Sequence, residues 1–255
     1  AWVHLAFYSP DPVVRETYGL KLVKNKTLPG SIKRLRPLIY MMLAFQATEK
    51  GQPEKAKELL STAIETAEDK GIKNVLGNRV TCLDLLNKPA PQLTAASWIN
   101  SAPLSPDSLK GKCAVVFFWA PWSEPCKIML PQLEALSREF KDQNTIVIGF
   151  TKFYGTVSRD RGGKNQPGKD TPLEKTAELA AVQALIKNET ITFPIAISSE
   201  GITLENFGVT YLPAIAIIDK TGNLAHLSVG GDPLGQHGYY WQSIKNKIKT
   251  IVEEK

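Results

Sequence analysis

The chain has 255 residues, 43% of them hydrophobic, and 31 Lys and Arg against 25 Asp and Glu give a formal net charge of +6. This length predicts two domains, and the apolar content is enough to build packed cores. No apolar run approaches 18 residues, so no transmembrane segment is expected. No aromatic residues are interleaved with the excess of Lys and Arg, so no nucleic-acid partner is expected.

Two stretches near the start of the chain carry apolar residues at helical spacing. They cover residues 33–50 and 54–70, and a turn containing Gly51 and Pro53 separates them. The pair resembles one tetratricopeptide repeat, which cannot bury its own face. Either the first thirty residues and residues 75–86 supply further helices, or the chain is cut from a longer helical array. Residues 1–87 are therefore predicted to form a small all-α, tetratricopeptide-like domain that either binds a protein partner or serves as a packing element.

A Pro-rich stretch, Asn87–Pro91, favours an extended linker. The second predicted domain, residues 88–255, opens with Ala114–Trp119, a continuous apolar run typical of a strand buried on both faces. The helical pattern of Lys127–Phe140 follows, with Pro131 inside it as the expected site of a kink.

Alternating strand and helix patterns continue to the end of the chain. Strands are predicted at 145–150 and 191–198, and helices at 176–188 and 238–254. Residues 155–173 are rich in Gly and charged side chains, which predicts a solvated loop or a lid over the site.

The segment Trp122-Ser-Glu-Pro-Cys126 connects the first strand of this domain to its helix. Ser123 occupies the position of a helix N-cap, and Cys126 lies near the positive end of the helix dipole. Such a location lowers the pKa of a thiol, so Cys126 is either a reactive cysteine or a buried resolving cysteine left without a partner.

The stretch from Lys110 to Leu133 resembles the signature of the TlpA/redoxin branch of the thioredoxin superfamily, and Phe207–Gly222 resembles the same family's cis-proline loop, central strand and hairpin turn. The resemblance implies an α/β thioredoxin fold, with a central mixed sheet flanked by helices, and thiol-disulfide oxidoreductase activity on protein or peptide thiols and disulfides. The site residues that it implies are Trp122, Ser123, Pro125 and Cys126 for catalysis, with Leu212 and Pro213 for substrate binding.

Two positions depart from the family pattern. Ser123 stands where the family has the attacking cysteine of Cys-x-x-Cys, either as a natural variant or as an engineered substitution, and Phe117 stands where thioredoxins have a buried Asp that shuttles a proton. Three interpretations therefore remain open: an oxidoreductase working with one thiol, a thiol peroxidase using Cys126, and a redox-inactive module that binds extended peptides. The Ser-x-x-Cys spacing of this chain matches that of a thiol peroxidase. However, such peroxidases have a proline seven residues before the cysteine, where this chain has Trp119, and the arginine that they require cannot be placed.

Only three cysteines are present, so the chain is not a disulfide scaffold. Cys82 and Cys113 are interpreted as small core residues, and Cys113 is too far along its strand to pair with the site turn. Three scattered histidines and the absence of metal-ligand spacing predict no metal, and no other cofactor is expected. The family resemblance, together with Ala1 in place of an initiator Met, favours a periplasmic or exported bacterial protein.

Overall fold

A computed structural model describes residues 1–157, 172–229 and 239–253. It divides into two compact units, Ala1–Asp84 and Leu85–Lys255. Within the described residues no helix is both long and apolar enough to cross a bilayer.

The first unit is helical throughout its described elements. Its helices are α1 (Trp2–Tyr8), α2 (Pro12–Lys24), α3 (Gly30–Lys33), α4 (Arg36–Glu49), α5 (Pro53–Thr66) and α6 (Lys70–Leu85). The helices α4 and α5 pack against each other, as do α1 and α2. Their core includes Ala6, Leu22, Ile39 and Leu43, which pack as one buried cluster. The predicted all-α region is thus present. Helices in the first thirty residues supply the additional packing that a single helical pair needs to bury its apolar face.

The second unit is a mixed sheet with helices. Its elements in chain order are β1 (Ser97–Ile99), α7 (Pro106–Leu109), β2 (Cys113–Phe118), α8 (Glu124–Glu139), β3 (Thr145–Lys152), α9 (Lys175–Asn188), β4 (Ile195–Ser198), α10 (Ile202–Asn206), β5 (Ala214–Ile218), β6 (Leu224–Val229) and α11 (Tyr239–Glu253). The strand order is β1-β4-β3-β2-β5-β6, with β2 parallel to β3 and antiparallel to β5.

Successive residues of the central strands face opposite cores. In β2, Val115 and Phe117 belong to one buried cluster and Val116 and Phe118 to the other. The first cluster is built with residues of α8, α9 and α11, which explains why all six residues of β2 are buried and apolar. This position of β2 in the sheet places its carboxyl end, and the turn that follows, beside β3 and β5.

The stretch predicted as a linker belongs to the second unit. The backbone N–H of Asn87 donates to the carbonyl of Leu224 at 2.8 Å, and Pro89 forms an isolated antiparallel bridge with Asn223. The chain therefore enters this unit by pairing with the hairpin between β5 and β6. Most of the connection predicted at 155–173 lies outside the described residues.

Candidate active site

The candidate site is the turn between β2 and α8. The N–H of Trp119 donates to the carbonyl of Phe150 on β3 at 3.0 Å, which continues the sheet pairing one residue beyond the strand. The N–H of Ser123 then donates to the carbonyl of Ala120 at 3.0 Å, and the N–H of Lys127 donates to the carbonyl of Ser123 at 3.1 Å. These bonds hold the turn tightly between the end of the strand and the first turn of α8.

Ser123 is the N-cap residue of α8, as the sequence predicts, but its side chain makes no capping hydrogen bond. Its hydroxyl instead forms a hydrogen bond with the thiol of Cys126, to which the backbone of Ala120 also contributes. The side chain of Ser123 is therefore turned toward the sulfur three residues along the helix, and the helix terminus is left without that cap.

The expected lowering of the pKa of Cys126 is wrong. The residue is 0% exposed, and burial raises the pKa of its thiol above the ordinary value, although the hydrogen bonds from Ser123 and Ala120 act in the opposite direction. The physical reason is that the apolar cluster around the sulfur disfavours the thiolate more strongly than the helix terminus and these bonds stabilise it.

Two other predicted site residues flank the pair. Pro125 is exposed in the first turn of α8, where its missing N–H leaves no hydrogen bond unmade. Trp122 is half-buried, and its ring meets that of Tyr154 edge-on at 5.6 Å between centroids. An ion pair of 2.8 Å between Glu124 and Lys127 lies on the exposed side of the same turn.

The two predicted substrate-binding residues lie at the same end of the sheet. The peptide bond between Leu212 and Pro213 is cis. Pro213 is buried, and Leu212 is half-buried against both core clusters. Because Ala214 lies opposite Phe118 in the pairing of β5 with β2, the loop before β5 and the turn after β2 meet at one edge of the sheet.

A family model described as Redoxin matches residues 86–240, which is more than half of the chain. The chain belongs to the redoxin family. The redoxin unit, as Leu85–Lys255 is called from here on, is the part that carries this match.

Characterised relatives match the same part of the chain. The thiol-disulfide oxidoreductase YkuV of Bacillus subtilis (strain 168) is 27% identical over 171 residues, which cover 66% of this chain and 97% of YkuV. The thioredoxin-like protein YneN of the same organism is 29% identical over 122 residues, which cover 48% of this chain and 58% of YneN. The chain thus spans nearly all of YkuV and less than two thirds of YneN.

A solved structure supports the fold. The thiol-disulfide isomerase from Corynebacterium glutamicum superposes with a TM-score of 0.50 at 19% sequence identity, over 66% of this chain and 99% of the isomerase. At this identity the likeness concerns the fold alone. Together with the mixed sheet flanked by helices, it confirms the predicted thioredoxin fold of the redoxin unit.

Phe117 occupies an apolar position in the redoxin unit. It is fully buried in the same cluster as Cys126 and lies opposite Gly149 of β3. Its ring brings no proton acceptor to the thiol, in agreement with the departure noted in the sequence.

The remaining cysteines lie elsewhere. Cys113 begins β2, at the opposite end of the strand from the site turn, and Cys82 lies on α6. All three cysteines are free, and burial raises the pKa of Cys113 to about 12 and that of Cys82 to about 11. Cys126 is therefore the one thiol at the site turn.

Sequence reasoning missed two residues next to the turn. Tyr154 follows β3 and supplies the ring against Trp122, and Glu178 in the first turn of α9 is buried and accepts hydrogen bonds from the backbone after β3. Nothing in the local pattern marks either residue, because each depends on contacts between segments distant in the chain. Within the described ranges, no three His, Cys, Asp or Glu side chains are grouped so as to hold a metal ion.

Proposed function

We propose that the redoxin unit is a thiol-disulfide oxidoreductase whose dithiol is interrupted at Ser123. Membership of the redoxin family and the similarity to YkuV support the reaction class. The observation that carries the proposal is that Ser123 and Cys126 are both buried at the start of α8, with the Ser123 hydroxyl acting to lower the pKa of the Cys126 thiol. It places an oxygen where a Cys-x-x-Cys site has its first sulfur, within reach of the second.

The chemistry of a dithiol site shows what is missing. In the first step, the first thiolate of the site attacks a substrate disulfide, forms a mixed disulfide and releases one substrate thiolate. In the second step, the second thiolate of the site attacks the mixed disulfide and releases the other substrate thiolate, which leaves the two site cysteines joined as a disulfide. The hydroxyl of Ser123 cannot take the first role. Cys126 takes it poorly, because it is buried and its pKa is raised.

We therefore propose that the chain with Ser123 binds its substrate and turns it over little. Substrate recognition is assigned to the loop before β5, where the family binds extended peptides. There Tyr211 is 46% exposed, next to the half-buried Leu212, and this loop lies at the same sheet edge as the site turn. An extended protein or peptide segment bearing a disulfide or thiol is the proposed ligand.

The peroxidase alternative has less support. A peroxidatic cysteine must be an accessible thiolate, whereas Cys126 is fully buried and its pKa is raised. Arg138, near the end of α8, is paired with Glu134 at 2.8 Å. Arg159 and Arg161 lie outside the described residues.

The decisive experiment is the substitution Ser123→Cys. Side chains three residues apart on a helix lie about 5–6 Å apart at Cβ, close to the separation that a disulfide spans after small adjustment. The variant should form an internal disulfide with Cys126 and should catalyse exchange between a disulfide-bonded peptide and glutathione. The double variant Ser123→Cys/Cys126→Ala serves as the control, because with the disulfide-bonded peptide and no glutathione it should form a mixed disulfide and stop there.

Two results would overturn the proposal. One is exchange by the unsubstituted chain at the rate of the Ser123→Cys variant, which would show that Cys126 works alone. The other is a Ser123→Cys variant that folds but forms no disulfide with Cys126 under oxidation, which mass spectrometry of the intact protein would show.

The cellular setting and the helical unit are also proposals. We propose that the chain works in the periplasm or as an exported protein, that residues 1–87 and 88–255 are its domains, and that the first of these contacts a protein partner. The resemblance to TlpA-like proteins supports the first point. Cell fractionation with an antibody against the chain tests the location, and limited proteolysis around residues 84–88 tests the boundary.

A further inference from the structure

A buried carboxylate lies beside the candidate site without belonging to the turn. Glu178 is 1% exposed in the first turn of α9, and its two oxygens accept hydrogen bonds from the N–H groups of Tyr154 at 2.7 Å and Gly155 at 2.8 Å. Hydrogen bonds to an ionised carboxylate are stronger than neutral ones, and a buried carboxylate is retained only where such bonds satisfy it. Glu178 therefore fastens the backbone directly after β3 to α9.

The fastened backbone is the base of the connection between β3 and α9. Gly155 has a φ of 70° and its carbonyl accepts a hydrogen bond from the N–H of Leu173 at 2.8 Å, so the two ends of the connection meet there. A Cβ at Gly155 would lie 3.0 Å from Cβ of Pro172. Both the close approach and the backbone angle require glycine, which makes this base a tightly specified piece of structure.

The same backbone carries the aromatic ring that contacts the site turn. Tyr154 lies edge-on to Trp122 at 5.6 Å, and the ammonium of Lys152 lies 5.3 Å from the centre of the Tyr154 ring. Trp122 directly precedes Ser123, whose hydroxyl is bonded to the Cys126 thiol. An unbroken series of contacts thus runs from the Glu178 carboxylate through two aromatic rings to the sulfur.

We propose that Glu178 is a positioning residue for the site turn: by holding Tyr154 against Trp122, it holds Ser123 on Cys126 and keeps that thiol covered. Its two oxygens accept from the backbone of Tyr154 and Gly155, so its effect on the turn is exerted through Tyr154. The inference rests on the proposed function only in taking Cys126 as the sulfur that matters.

The test uses the other buried cysteine of the redoxin unit as an internal reference. Glu178→Gln keeps the size of the side chain but replaces one acceptor oxygen with an amide that cannot accept, which leaves one of the two N–H groups unpaired. In the full chain under native conditions, a thiol reagent should label Cys126 several-fold faster in this variant, with the labelling of Cys113 unchanged. Mass spectrometry of peptides reports both rates from one sample.

Three comparisons separate positioning from a general loss of stability. Tyr154→Ala should reproduce the faster labelling of Cys126, and the double variant should add little to it, because both changes interrupt one series of contacts. Glu178→Asp retains a carboxylate and should restore part of the protection. Glu134→Gln removes another buried carboxylate, which accepts a hydrogen bond from the backbone N–H of Thr192. This variant should not expose Cys126 selectively.

The inference is overturned if Cys126 and Cys113 become labelled faster together, if Glu134→Gln exposes Cys126 as much as Glu178→Gln does, or if Tyr154→Ala leaves Cys126 protected. The outcome is independent of the oxidoreductase proposal. A folded Ser123→Cys variant that forms no disulfide with Cys126 would refute that proposal while leaving the labelling result untouched, and the reverse also holds.

Discussion

Phe118 lies opposite Ala214 in the antiparallel pairing of β2 with β5. Each residue borders an irregular segment: the site turn follows Phe118, the last residue of β2, and Pro213 precedes Ala214, the first residue of β5. This register is what brings two segments some ninety residues apart in the sequence to the same edge of the sheet. It also explains why the thiol and the loop that we propose to bind substrate can be parts of one site.

The protonation of Cys126 gives the first prediction. Because burial raises the pKa of this thiol, labelling by a thiol reagent should be slow at pH 7 and should increase in alkali, as the pH approaches the raised pKa. Hydrogen peroxide at pH 7 should yield no rapid sulfenate. A Cys126→Ala variant identifies the signal, and fast, Cys126-dependent sulfenate formation at neutral pH would instead favour the peroxidase interpretation.

Gly149→Ala should destabilise the redoxin unit by about 1–3 kcal/mol. A Cβ there would lie 2.5 Å from Cδ1 of Ile195 and 3.3 Å from Nε1 of Trp119, so the Ile195 side chain must shift to receive it. Chemical denaturation measures the loss. The control is Gly77→Ala on α6, where a Cβ would meet nothing within 4 Å; it should raise stability by about 0.5–1 kcal/mol. Equal effects at the two positions would contradict the packing explanation.

Glu134→Gln should lower the free energy of unfolding by about 1–3 kcal/mol near neutral pH. The Glu134 carboxylate accepts from the N–H and hydroxyl of Thr192 at 2.8 and 2.7 Å and from Arg138 at 2.8 Å. Burial raises the pKa of Glu134, but the hydrogen bonds from Thr192 and Arg138 outweigh it, and the net pKa is lowered.

The sign of the pH dependence follows from that lowered pKa. The stabilisation by Glu134 is fully present above the unfolded pKa of about 4.3 and is lost as the pH falls through the lower folded value. The difference between the unsubstituted chain and Glu134→Gln should therefore shrink below pH about 4. Arg138→Ala should cost less than about 1 kcal/mol, because the arginine is 68% exposed. A difference that does not vary with pH would refute the assignment.

Cys113 should make the redoxin unit less stable in alkali. Its pKa is raised to about 12, mainly by burial and further by Asp219, whereas in the unfolded chain it is about 8.5. At alkaline pH the folded state therefore binds more protons than the unfolded state. The contribution of the protonated Cys113 thiol to the free energy of unfolding is fully present below pH about 8.5. It is lost as the pH rises, by up to about 1.4 kcal/mol per pH unit. A Cys113→Ala variant should show a shallower fall between pH 9 and 10.5; identical slopes would contradict the prediction.

Many strands and helices of the redoxin unit could be predicted from the sequence, because each depends on a pattern of neighbouring residues. The apolar run from Ala114 and the helical pattern from Lys127 correspond to β2 and to α8, although α8 begins three residues earlier, at Glu124. Pro194 illustrates the limit of such reading: the strand predicted from Ile191 begins only at Ile195, because the chain reaches the sheet after an irregular segment whose N–H at Thr192 is taken by Glu134.

The sequence leaves open whether Cys126 is reactive, and the pKa of its thiol is shifted in the direction opposite to the one that a helix N-terminus favours. Ser123 does begin the helix, but its hydroxyl is bonded to the thiol rather than to the helix backbone. The sequence shows a cysteine near a helix N-terminus; it does not show how much apolar surface will cover the sulfur, and that covering decides the direction of the pKa shift.

By itself the sequence determined the family, the order of the elements and the position of the one thiol next to Ser123, since these depend on residue types at fixed short spacings. Only the tertiary structure decided that Cys126 is buried with a raised pKa, that Leu212 and Pro213 meet the site turn at one sheet edge, and that Glu178 is joined to the turn through Tyr154. The reason is physical: burial and hydrogen bonding at this site come from segments far apart in the chain, and their proximity arises only when the sheet and its helices pack.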